Sequence, residues 1–128
     1  GDDDLKELLK EGMNSAEDEI QQIEELLKVN EVGLPPTPPE RPHANREDIP
    51  TGARVTYPET CMTLSMDIAK SLVACSTMIG QSIREDIAAM FGRFHVSKAQ
   101  LGLKVLRLNK EKGWLVPPPL HRSTSTDE

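Results

Sequence analysis

Four side chains could together hold a metal ion: Glu19, Glu59, Asp67 and His95. Carboxylates with imidazole are the donors from which helical bundles build iron or manganese centres. The full set is one Glu from each of two helices and a Glu-x-x-His from each of two more. This chain has no Glu-x-x-His, and Gly92 stands where the carboxylate partner of His95 would be. A second reading brings in Lys98. It falls about 40° from the apolar stripe of its helix, counting ~100° per residue, so its ammonium needs a carboxylate or a route to water. Glu19, about 60° from the centre of its own stripe, and Asp67 are the carboxylates that could meet it. In that reading a Lys98 ion pair takes the place of the metal. The residues favour the ion pair, so no cofactor is expected, with iron or manganese as the alternative.

Other chemistry finds less support. His43 and His121 sit in proline-rich stretches and read as solvated, and His95 reads as a histidine at the edge of a core. No nucleophile elbow, phosphate-binding loop, dinucleotide fingerprint or cysteine zinc pattern occurs. Ser65, Ser71, Ser76 and Thr77 lie inside an apolar helix, where a hydroxyl can bond to a preceding carbonyl. Cys61 and Cys75, fourteen residues apart in that helix, would be ~21 Å apart at ~1.5 Å per residue, too far for a disulfide. They read as reduced, buried thiols of a cytosolic protein. Catalysis is therefore not expected.

These residues have to be positioned by one small domain of 128 residues, enough to bury about two-thirds of the unfolded surface. With two Phe, one Tyr, one Trp and five Met, its core must be aliphatic and adaptable. The formal charge is −6, with acidic residues spread along the chain. That disfavours nucleic acid and anionic membrane surfaces as partners. No apolar run approaches the ~20 residues of a membrane span, and no basic n-region with an apolar h-region opens the chain, so secretion by a signal peptide is not expected.

Apolar periodicity predicts three helices. Leu5, Leu9, Met13, Ala16, Ile20, Ile23 and Leu27 make the stripe of a first helix over 4–30, opened by three aspartates and stopped by Gly33 and prolines. A crossover over 32–57 follows, studded with Pro35, Pro36, Pro38, Pro39, Pro42 and Pro50. It reads as a stiff strap; a polyproline ligand is the alternative. The second helix, 58–80, opens with a Thr56–Glu59 capping box and is apolar nearly all round, so it should be central or hidden in an oligomer interface. Ser82 and Glu85 suggest another capping box and a third helix over 82–112, with Ile83, Ile87, Met90, Phe94, Leu101, Val105 and Leu108 as its core stripe and Gly113 as its stop. Trp114 can fold back over that end, and an extended tail over 114–128 completes the chain. One long crossover between helix pairs is the mark of a ferritin-like four-helix bundle, yet only three long helices are present.

The runs SIREDIAAMF and FHVSKAQLGLKVLRLNKEKGWLVPPPLH, with ERPHANREDIPTGARVTYPE upstream, resemble a family of endospore-forming bacteria catalogued as a domain of unknown function. That family is similar to ferritin-like spore coat proteins. The telling matches are Arg84 and Asp86, Lys104, and Glu111-Lys112-Gly113 followed by Pro117 and Pro118. The resemblance covers about Asp4 to His121. It implies an all-α, ferritin-like four-helix bundle, with a further helix before Gly1 or one supplied by another subunit. It also implies a His, in many members, where this chain has Glu19, which sets this chain apart from any inherited metal function. The function expected is non-enzymatic: structural or protein-interacting, in sporulation or the spore coat, with protein partners or a dimer. The alternative is a di-iron or manganese carboxylate protein. The expected location is cytoplasmic, in the mother cell or at the spore coat.

Overall fold

The computed structural model describes residues 2–33, 36, 39, 42 and 45–115. Among these, three long helices carry the fold: α1 (Asp3–Val29), α2 (Tyr57–Gln81) and α3 (Glu85–Glu111). Two short 3-10 turns, Arg46–Asp48 and Thr51–Ala53, interrupt the connection between α1 and α2. His43, His121, part of the proline strap and the tail from 116 onward lie outside the described residues.

Each helix starts and stops for a local reason. The Asp2 carboxylate accepts from the Leu5 amide at 3.1 Å, and Asp3 and Asp4 sit in the positive first turn of α1. At α2 the capping box is complete: Thr56 Oγ1 accepts from the Glu59 amide and Glu59 Oε2 accepts from the Thr56 amide, with Pro58 in the first turn. The box expected from Ser82 and Glu85 does not form. Helix α2 continues through Gln81, and Ser82 to Arg84 are a short extended link. The Ser82 hydroxyl turns onto Arg84 instead, accepting from its amide at 3.3 Å and donating to its carbonyl at 3.0 Å. Ile83, expected in the core, is fully exposed on that link.

The helix stops follow one pattern with two different residues. Gly113, at φ 70°, closes α3, and the Trp114 amide donates back to the Asn109 carbonyl at 3.0 Å. At α1 the left-handed residue is Glu31, at φ 59°, and the Val32 amide reaches the Leu27 carbonyl at 2.8 Å. Gly33 is therefore not the stop residue of α1.

Helix α3 runs antiparallel to both other helices. Its Lys112 meets Asp2 and Asp4 at the start of α1, while Arg84 meets Asn30 at the end. The helices are in ordinary contact at two glycines: a Cβ on Gly102 would sit 3.4 Å from Ile68, and one on Gly12 3.5 Å from Leu101. One core cluster joins Leu5, Leu8, Cys61, Ile68, Val105 and Leu108; Trp114 packs against it and stacks at 6.1 Å from Tyr57. The other joins Cys75, Met90 and Phe94, backed by Ile23 and Leu26. Helix α2 is not buried all round: Met62, Met66 and Val73 are 65%, 55% and 67% exposed. Met13 and Ile20 of the α1 stripe are likewise exposed.

Candidate functional site

The polar residues that join separate elements lie along one seam, between α1 and α3. At one end Lys112 Nζ sits 3.1 Å from Asp2 and 2.9 Å from Asp4. One step along, Lys104 pairs with Glu11. Near mid-helix, Lys98 pairs with Glu19, both side chains largely buried at 18% and 12% exposure. At the far end the Arg84 guanidinium holds Asp86 with two hydrogen bonds, 3.1 and 2.7 Å, and donates a third to Asn30 Oδ1 at 2.8 Å. Every step toward the end of α1 is matched by a step back along α3, so the rungs set the register of the two helices.

The terminal rungs shift proton affinities. The Leu5 amide and then Lys112 hold the Asp2 carboxyl below its ordinary range. Asp4 and Asp2 raise Lys112. The Arg84 guanidinium lowers Asp86 and is raised by it in turn. Burial pushes both Cys61 and Cys75 upward, so they are neutral thiols, both free.

The four metal-donor candidates are spread through the molecule. Glu19 faces the Lys98 ammonium, and its second oxygen is buried with no hydrogen-bond partner among the described residues. Glu59 is spent on the cap of α2, where the Thr56 amide lowers its carboxyl. Asp67 opens onto a groove of about 260 Å³ between α1 and α2, walled by Leu9, Gly12 and Ala16 and floored by Lys98 and Leu101 of α3. His95 lies half-buried on α3. Among the described residues no three His, Cys, Asp or Glu side chains converge as a metal site would require. As they stand, these four do not fit one ion.

Of the two carboxylates proposed for Lys98, the structure selects Glu19. Sequence reasoning passed over Glu11, Asn30 and the role of Asp2 and Asp4 as partners of Lys112. The signal available was the antiparallel register, which places those residues opposite Lys104, Arg84 and Lys112.

The model of a family described as "Protein of unknown function (DUF3231)" matches residues 1–126. The chain belongs to the DUF3231 family. "Uncharacterized protein YvdQ" of Bacillus subtilis (strain 168) is 57% identical over 121 residues, 94% of this chain and 71% of the relative. The crystal structure of a "putative spore coat protein" (BH2358) from Bacillus halodurans C-125 superposes with a TM-score of 0.87 at 59% identity, covering 96% of this chain and 77% of that one. Arg84, Asp86, Lys104 and Lys112, singled out from sequence, lie on the α3 side of the polar seam together with Lys98. No helix among the described residues is long and apolar enough to cross a membrane.

Proposed function

We propose that this protein is a non-catalytic structural component of the bacterial spore coat that acts by packing against other proteins. The observation that carries the reading is the 59% identity and 0.87 TM-score to a protein described as a "putative spore coat protein". At that identity the fold carries over. The charged side chains of the seam support the same reading, since they are consumed in holding helices together.

In this proposal the three helices are part of a ferritin-like four-helix bundle. Helix α3 adjoins both α1 and α2, which leave an apolar-walled groove between them, as the diagonal helices of such a bundle do. A fourth helix laid in that groove would cover Met13, now 63% exposed. The greater length of both relatives allows for it.

A fluorescent fusion expressed from its own promoter in sporulating cells tests the role. The expected outcome is signal arising during sporulation and ringing the forespore, with the protein recovered in the coat extract of purified spores. Diffuse signal in vegetative cells, with nothing in the coat, would overturn it. Elemental analysis of the purified protein tests the metal alternative: about one to two equivalents of iron or manganese, lost in Glu19→Ala or His95→Ala, would favour it.

A further inference from the structure

The outward side of α3 bears a second heptad stripe that the described residues leave uncovered. It runs from Glu85 to Lys110 in alternating four- and three-residue steps, the spacing of a coiled-coil seam. Its large members, Val96, Leu103 and Leu106, are 56%, 47% and 40% exposed. Met62, Met66 and Val73 of α2 are exposed as well. This face lies on the far side of the α2–α3 pair from the groove between α1 and α2, so a helix laid in that groove would not cover it.

The order of residues along the stripe is complementary to its own reverse. Turned antiparallel about a two-fold axis between Ser97 and Lys98, Gly92 falls opposite Leu103, Ala89 opposite Leu106, and Val96 opposite Ala99. Each small residue meets a large one. At the ends Glu85 meets Lys110, opposite charges closing an apolar seam. Gly92 adds a separate argument. A glycine inside a helix costs roughly 1 kcal/mol relative to alanine. Among the described residues, a Cβ on Gly92 would meet nothing within 4 Å, as at Gly80 near the end of α2. Nothing among the described residues calls for glycine there, whereas close approach of a partner's leucine does. A two-fold pairing along α3 would bury the exposed side chains of Val96, Leu103 and Leu106 on both copies, as burial in a stable interface of ~800 Å² per partner requires.

We propose that the outer face of α3 docks a second copy of this chain, antiparallel, in an isologous dimer whose axis passes between Ser97 and Lys98. The proposal deepens the packing role above by naming a partner, but it rests on α3 alone. Light scattering after size exclusion, with the protein at about 100 μM, tests it independently of any coat assay. The expected mass is twice 14.2 kDa. Val96→Glu, on an exposed position, should give a monomer with an unchanged far-UV circular dichroism spectrum. Glu85→Lys, placing lysine against Lys110, should weaken association about ten-fold, and adding Lys110→Glu should restore it. If Val96→Glu fails to fold, the charge swap still decides. A wild-type mass of one chain, a dimer unmoved by folded Val96→Glu, or a charge swap without rescue would each overturn the proposal.

Discussion

The Lys98–Glu19 pair is the most consequential residue-scale feature, because it joins two helices with charges that are largely out of water. A pair so placed contributes little compared with a well-packed apolar pair, yet breaking it strands one charge. Lys98→Met alone should therefore destabilise the protein by about 3 kcal/mol. Lys98→Met combined with Glu19→Leu should return close to the wild-type value, because no buried charge is left. Urea unfolding of the two singles and the double measures the coupling; additive effects would mean that the two groups do not depend on each other. The phase of Lys98 on its helix made this pair legible in the sequence. The choice of Glu19 over Asp67 was not legible, because it depends on α1, not α2, presenting a carboxylate to that part of α3.

At the scale of elements, the helices read from apolar spacing agree with the structure to within about three residues at each end. Misreadings arose where two local bonding patterns competed. Ser82 had the spacing to cap α3 through the Glu85 amide, but Arg84 is nearer, and its hydroxyl closes a two-residue turn there instead. The stripe of α2 misled for another reason: periodicity shows that a face is apolar, not that this chain covers it. The capping box of α2 gives a pH prediction. The Thr56 amide, followed by its hydroxyl, lowers Glu59 below its ordinary 4.5. A carboxylate depressed in the folded state adds stability above the unfolded value and loses it as pH falls through the folded one. The cap should accordingly weaken below about pH 4.5, with Asp2 following below its ordinary 3.8. Thermal melts across the acid range should show Glu59→Gln less stable than wild type near neutrality, with the difference shrinking toward low pH. A constant difference would disconnect the cap from the titration.

At the scale of the whole molecule, α2 and α3 form a hairpin packed along its length, and α1 is attached to it differently. Only Leu5 and Leu8 of α1 are buried, both near its start. Past them α1 is held by half-buried apolar side chains and by the rungs at Glu11, Glu19 and Asn30. Two of those rungs join full opposite charges, and the Glu11–Lys104 rung is open to solvent at 49% and 52% exposure. Salt at ~1 M shortens the screening length to ~3 Å, weakening exposed ion pairs while leaving apolar contacts intact or strengthened. Hydrogen exchange should therefore quicken in α1 from about Glu11 to Ile20 when salt is raised, while the amides of α2 and α3 hold their rates. Lys104→Met should speed exchange in the same α1 segment at low salt and remove most of the salt response there. If apolar contacts dominated, raised salt would slow exchange in α1 and the hairpin alike, and uniform slowing would show that the rungs set register without holding the helix down.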